Sequence, residues 1–367
     1  MRVVHVNTEA TWRGGENQVL NLMRGLKRLG HDVECVALPG SILAQRCRQE
    51  SIPALELAMR SDGDVFAAVR LARHLRRNPC EILHAQTARA HSIALIARIA
   101  GAKARVVVSR RLDFPIRRSP WNLWKYRNRR VDSYIAVAAV IRDILIDAGV
   151  SPSKVTVINS SIDLARFTGV GDHRAELRRA MAIPMEALVV GNVAALAWHK
   201  GQKDLLAAMP AVLASVPEVR LVIVGGGEER EALERQAREL GLGARVTFTG
   251  VRNDIPQILT MFDVFCISSY LEGLCNSVLE AFAMKLPVVA TRAGGLPEIV
   301  ADERTGLLAP ARDPEGLAAA LVRMLTDRPL ATRVAEAGHR LVHERFGVEH
   351  MVARTEALYR EVVGRQR

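Results

Sequence analysis

Aromatic residues are scarce, 4% of 367 positions, which leaves few π faces for a module that stacks single-stranded bases. The five cysteines (Cys35, Cys47, Cys80, Cys266, Cys275) are scattered, odd in number and free of any CxxC pair. They read as reduced, packed thiols of a cytosolic protein rather than as disulfides or zinc ligands. No apolar run reaches the about 18 residues a membrane helix needs, and SIALIARIAGA is broken by Arg98. The N-terminus goes straight into MRVVHVN, without the apolar core of a signal peptide. The expected location is therefore the cytoplasm. GxxxxGK[ST] is absent, which excludes P-loop nucleotide hydrolysis. So is any Asp-x-Asp pair, and His339 and His343 stand one helical turn apart without the glutamate of HExxH. A metal-free chemistry is expected, with the two histidines on the surface.

Positive charge, by contrast, is abundant and uneven. The net charge is +12, and residues 1–165 hold 26 Lys and Arg against 14 Asp and Glu, whereas residues 166–367 hold 25 of each. The densest stretch is RVVVSRRLDFPIRRSPWNLWKYRNRR (105–130), with nine basic residues, one acid (Asp113), and Trp121, Trp124 and Tyr126 between them. A surplus confined to one half implies an anionic partner for that half, a lipid surface or a polyanion, unless it is only a solvated face. The interleaved tryptophans favour an anionic membrane surface reached peripherally from the cytoplasmic side.

Short Val/Ile-rich runs alternate with helical patterns throughout. The strand candidates are RVVHVN, DVECVAL, EILHAQ, ARVVVSR, SYIAVA and KVTVIN, then EALVVGNVA, VRLVIVGGG, RVTFTG, DVFCIS and PVVATR. Continuous apolar runs, rather than alternating ones, belong to parallel strands covered on both faces, and strand–helix alternation implies βαβ units. Periodicity fails across NSSIDLARFTGVGDHR (159–174). This predicts two doubly wound α/β domains, 1–165 and 170–346, with a last amphipathic helix in 347–367 packing back on the first. Such sheets bind ligands outside the carboxyl ends of their strands, here in a cleft between the facing domains.

Several strand-end loops carry candidate chemistry. Gly14–Gly15 follows the first strand and leads into a helix, so its backbone amides could approach an anion. Gly225–Gly227 follows VRLVIV and has the same potential, although either glycine run could be only a tight turn. In SSYLEGLCNSVLEA (268–281), Glu272 and Glu280 are separated by seven residues. Ser277-Val-Leu-Glu280 also fits a capping box, in which Glu280 would merely reach back to a helix-start amide.

Read together, GGENQ, AWHKGQKDLLAA, LVIVGGGEERE, EGLCNSVLEA and KLPVVATRAGGLPEIVADERTGLLAPARDPEG resemble the family 4 glycosyltransferases of GT-B fold over nearly the whole chain. The resemblance implies two facing Rossmann-like domains. It assigns Glu272 to the donor sugar's hydroxyls and Glu280 to the ribose of a nucleotide diphosphate, with Gly273, Leu274 and the amides of Asn276 and Ser277 around the phosphates. Gly225 and Gly227 belong to the same donor site, and Lys200 matches the lysine that neutralises the diphosphate leaving group. Gly14–Gly15 matches the loop of the acceptor domain that closes over those phosphates.

Two positions depart from the family pattern. Ala195 stands where an arginine usually precedes the lysine, leaving His199 or Arg111 as substitute cations. Ser109 stands where a histidine is common, leaving Ser109 itself, Arg110, His84 or His91 to take over its role; Arg110 is expected to be catalytic with Glu272 and Lys200, and His84, His91 and Arg111 to serve the acceptor side. The implied reaction is a metal-independent, retaining transfer of a hexose-like sugar from a nucleotide sugar to an acceptor hydroxyl. No cofactor is needed. The acceptor would be a lipid-linked, lipopolysaccharide or other cell-envelope glycan, and nucleic acid is not a partner. A nucleotide-sugar epimerase of the same fold and a non-enzymatic polyanion-binding protein are the alternatives.

Overall fold

The computed structural model describes residues 1–365. It divides into two compact units: residues 1–161 together with the C-terminal segment from Val348, and residues Ile162–Gly347.

In the first unit, seven parallel strands lie in the order β3-β2-β1-β4-β5-β6-β7. They are β1 (Arg2–Val6), β2 (Asp32–Ala37), β3 (Ala54–Glu56), β4 (Ile82–Ala85), β5 (Arg105–Arg110), β6 (Val131–Ala136) and β7 (Val155–Val157). Helices α1 (Gly14–Arg28), α2 (Ile42–Gln49), α3 (Val65–Arg77), α4 (Ala88–Ile99), α5 (Pro120–Arg127) and α6 (Ala139–Asp147) make the crossovers. The order reverses after β1, whose carboxyl end feeds the Gly14–Gly15 loop. This is the switch point where such sheets bind ligands.

The second unit repeats the scheme with six parallel strands in the order β10-β9-β8-β11-β12-β13. These are β8 (Val189–Val193), β9 (Arg220–Val224), β10 (Val246–Gly250), β11 (Val264–Ile267), β12 (Val288–Thr291) and β13 (Leu307–Ala309). Its helices are α7 (Arg174–Ala180), α8 (Gln202–Ser215), α9 (Arg230–Glu239), α10 (Ile255–Leu259), α11 (Asn276–Ala283), α12 (Leu296–Ile299), α13 (Pro314–Thr326) and α14 (Arg328–Arg345).

The central strands are buried on both faces, as their unbroken Val/Ile runs require: Val3, Val4, Ile82, Leu83, Val106 and Val107 are all fully enclosed. The sequence reading passes over β3, three half-buried residues at a sheet edge, which are too short to carry a periodic signal. The last helix, α15 (Val348–Gly364), packs on α1. Gly25 allows that approach, because a Cβ there would collide with Val352. Among the described residues no helix is long and apolar enough to cross a membrane.

Candidate active site

The second unit assembles its polar residues at the carboxyl ends of β8, β9 and β11. Gly201 sits in the left-handed region at φ 63°, and a Cβ there would drive into the carbonyl of Ser268. Glycine therefore lets the His199–Lys200 turn lie against the loop after β11. That docking is locked by Tyr270 N donating to His199 O at 2.7 Å and by Ser268 Oγ donating to Lys200 O at 3.1 Å. Lys200 Nζ then lies 2.6 Å from Glu272 Oε2, which also accepts from Ser269 Oγ at 3.1 Å. Gly295 N donates to Glu272 O at 2.9 Å, which holds the loop from its other side.

Gly225 and Gly227 serve the same construction. Their φ values are 144° and 159°, and a Cβ on either would strike the carbonyl of Ala194 or Leu196. The glycines thus admit the Ala194–Leu196 strand-end segment, which is bonded through Leu196 N to Gly226 O at 3.0 Å. Close backbone packing accounts for both glycines, and it also fixes the segment leading to Lys200. Ala195 presents only its carbonyl, which accepts from Gln202 Nε2 at 3.0 Å.

The capping-box alternative is not realised. Helix α11 starts at Asn276 with Cys275 as N-cap, no side chain caps it, and Ser277 lies inside its first turn. Its first amides therefore project from the helix with no side-chain acceptor from the cap residue, as an anion site requires. Asn276, Ser277 and Glu280 fall on one helix face, being three and four residues apart. Asn276 Oδ1 is buried without a hydrogen-bond partner. Burial pushes the Glu280 carboxyl up to about 7, and the Arg166 guanidinium pulls the other way. Gly273 and Leu274 are buried in the loop between the two glutamates.

In the first unit, α1 begins at Gly14, where Arg13 N donates to Glu16 Oε2 at 3.0 Å. A Cβ on Gly15 would meet only Arg111 Cδ, at 3.9 Å, so internal packing does not demand glycine there. Arg111 donates to Gln86 O at 3.0 Å and to Gln86 Oε1 at 2.8 Å, and burial lowers its guanidinium to about 10. Gln86 Nε2 in turn touches His5 Nδ1 at 2.9 Å and His84 Nδ1 at 3.0 Å. His84 Nε2 lies 2.8 Å from Ser109 Oγ, and its Nδ1 lies 2.5 Å from the hydroxyl of Tyr359 on α15. A pocket of about 20 Å³, room for about one water, is lined by His84, Ser109, Arg111, Gln18, Asn159 and Thr355.

Ser109 and His84 therefore work as one hydrogen-bonded pair, and Gln86 and Tyr359 complete a set that sequence reasoning missed. No spacing signal joins α15 to β4. His91, like His84, is fully buried, and it packs edge-on against Tyr126 and Tyr134. Arg110 donates to Tyr126 Oη at 3.0 Å and to the carbonyl of Phe114, which turns its guanidinium toward the 111–126 segment. His339 bonds Phe282 O through Nδ1 at 3.1 Å, and no cluster among the described residues could hold a metal ion.

Comparison with known proteins bears on both units. Residues 12–166 match the Glycosyltransferase Family 4 model, and residues 173–341 match the model of Glycosyl transferases group 1. The lipopolysaccharide core biosynthesis glycosyltransferase LpsE of Rhizobium meliloti is 29% identical over 342 residues, 92% of each chain. A GDP-mannose-dependent α-(1-6)-phosphatidylinositol monomannoside mannosyltransferase of Mycobacterium tuberculosis is 33% identical over 202 residues, 53% of this chain and 52% of that enzyme. Among solved structures, Anabaena HepE with UDP and glucose superposes with a TM-score of 0.86 at 22% identity, covering 98% of this chain and 100% of that one. A glycosyltransferase from Rickettsia africae reaches 0.88 at 19% identity, covering 100% and 99%. These structural likenesses show a GT-B fold. With the paired family matches running from residue 12 to residue 341, the chain belongs to the family 4 glycosyltransferases.

Proposed function

We propose that this glycosyltransferase moves a sugar from a nucleoside-diphosphate sugar to a hydroxyl of a cell-envelope glycan, with retention at the anomeric carbon and without a metal ion. One observation carries the reading: Lys200, on the turn after β8, pairs with Glu272 on the loop that leads into the uncapped start of α11, with Glu280 one turn into that helix. A diphosphate at that helix start would meet the α11 amides and Lys200, while the sugar and ribose at its two ends would meet Glu272 and Glu280. Lys200 is most useful as the glycosidic bond breaks, because negative charge then grows on the phosphate.

In this mechanism the acceptor oxygen bonds to the anomeric carbon on the face from which the diphosphate oxygen departs. The acceptor's proton passes to that departing oxygen, so no protein nucleophile is needed. The second unit binds the donor and the first the acceptor, where the Ser109–His84–Arg111 pocket supplies polar groups. The identity to LpsE over 92% of both chains favours a lipopolysaccharide-type acceptor handled at the cytoplasmic membrane face. Neither the epimerase nor the polyanion-binding alternative finds support in the two family matches.

The test is a panel of radiolabelled sugar nucleotides incubated with membrane extract. Label from one donor should enter the lipid or glycan fraction, and should fail to with Glu272→Gln. If no donor labels any fraction, or the labelled sugar appears only as a free isomer, the proposal is wrong.

A further inference from the structure

Among the described residues, five other than glycine occupy the left-handed backbone region: Ser51, Ala182, Lys285, Glu303 and Arg312. Ser51, Ala182 and Lys285 each stand two residues past the end of a helix, after α2, α7 and α11, where that conformation is an ordinary way to stop. Glu303 lies in the short turn that pairs Asp302 with Gly306, and its carboxylate binds Arg323. Arg312 ends no helix. It sits in the turn between β13 and α13, at φ 63°, immediately before the Asp313 cap of α13. A side chain is disfavoured there, whereas glycine would adopt that backbone freely.

The exposed Arg312 side chain reaches back over the candidate site's own loop: its guanidinium covers the ring of Tyr270, 4.3 Å from the centroid. The ring is 8% exposed and also packs on the Lys200 turn, since a Cβ on Gly201 would come within 2.9 Å of Tyr270 Cε1. Its hydroxyl end has no polar tether. Tyr270 Oη and Asp204 Oδ2 are both buried without a hydrogen-bond partner, and burial, then Asp204, raises the tyrosine well above its usual range. Packing against Gly201 and Arg312 is therefore what fixes the ring. The backbone of Tyr270 carries the Glu272 loop: its amide holds His199 O, and Ser269 beside it donates to the Glu272 carboxylate.

We infer that Arg312 is a positioning residue for donor binding: its strained turn lays a cation on Tyr270, and this stack holds the Glu272 loop against the Lys200 turn. A cation is attracted to the negative face of an aromatic ring, so the contact resists lifting of the loop. Strain of this kind persists where the surrounding structure over-determines it, and it gathers at functional sites. The inference rests on the reading of Lys200 and Glu272 as donor-binding residues, but the clamp can be tested without a donor.

The telling variant of the full chain is Arg312→Gly, because it relieves the backbone while removing the stack. Its melting temperature should stay at or above the native value. Its affinity for whichever of UDP, GDP or ADP binds the native chain should nevertheless fall roughly fivefold, the worth of one cation–aromatic contact. Arg312→Lys keeps a cation on the ring in the same strained turn and should retain most of the affinity. Tyr270→Leu should reproduce the loss, and adding Arg312→Gly to it should cost nothing more.

Hydrogen exchange read by mass spectrometry needs no nucleotide. In Arg312→Gly the amides of residues 268–274 should exchange faster, while those of β8 and β11 keep the native rate. Unchanged exchange across 268–274, or native nucleotide affinity in Arg312→Gly, would overturn the inference. Should no nucleotide bind even the native chain, the donor reading fails, and faster exchange of the loop would still support the clamp.

Discussion

Lys200 Nζ and Glu272 Oε2 are 2.6 Å apart, in a pair that is 18% and 11% exposed at the side chains. Without ligand, each charge is the other's counter-ion, so neither is left unpaired in a partly desolvated loop. Under the proposed function, a diphosphate sugar would offer both partners a replacement: phosphate oxygens for the lysine and sugar hydroxyls for the carboxylate. The pair would thereby be held in position in advance, lowering the reorganisation needed at the moment of the proposed transfer.

Replacing Lys200 by Ala should reduce kcat by about 10²-fold or more, with a smaller change in KM, because the charge matters most when the leaving group carries most charge. It also strands Glu272. Lys200→Ala combined with Glu272→Gln should therefore recover part of the thermal stability lost in Lys200→Ala alone, and none of the activity. Steady-state kinetics and thermal melts of the four proteins check this. Additive stability losses would mean that the two residues are not coupled.

Glu280 titrates near neutrality because burial disfavours its charge. In the folded protein its carboxyl holds a proton up to about pH 7, whereas the unfolded chain releases it near the ordinary carboxylate value of about 4.3. The free fold thus loses stability as pH rises through that window, and Glu280→Gln should remove this loss. If the ionised form accepts from ribose hydroxyls, nucleotide affinity should instead rise between about pH 6 and about pH 8. Thermal shift with UDP, GDP and ADP should show that rise in the native chain and none in Glu280→Gln. A ligand at a hundredfold its Kd adds about 2.7 kcal/mol, well within detection.

The first unit should be acid-sensitive. Burial lowers His5 to about 3 and drives His84 well below its ordinary value, so both stay neutral in the fold. In the unfolded chain they take up protons below about pH 6.5, so their contribution to stability is complete above that pH and fades as the pH falls. Tyr359→Phe, which removes the hydroxyl bonded to His84 Nδ1, should cost about 1–2 kcal/mol at neutral pH. Urea melts across pH should show the His84→Asn variant losing less between neutral and acid conditions than the native chain. Parallel losses would remove the histidines from the account.

Gly201→Ala should be more harmful than an ordinary helix-start substitution. It combines a left-handed backbone with a clash against the Ser268 carbonyl. Destabilisation of about 1–3 kcal/mol is expected, accompanied by loss of nucleotide binding as the Lys200 turn lifts from the Glu272 loop. Loss of stability with full nucleotide affinity would separate the glycine from the site.

The α/β class was legible because parallel strands covered on both faces must be apolar at every position, and such runs cannot be mistaken for alternating edge strands. The Glu272–Glu280 spacing was legible for a different reason: the two residues sit on one loop and the helix it opens, so sequence distance fixes their separation. Gly225 and Gly227 were visible as glycines, but their purpose was not. Only the fold shows the Ala194 and Leu196 carbonyls lying where side chains would be.

By itself, then, the sequence determined the strand–helix succession, the basic half and the acidic pair, all properties of neighbours along the chain. The tertiary structure alone decided that Glu280 does not cap its own helix and that Lys200 meets Glu272. It also decided that His84 is held between Ser109 and a tyrosine of the last helix. Each of these depends on which loops are brought against one another when the sheets close. Those contacts are set by burial and by where glycine permits close approach, and local pattern carries neither.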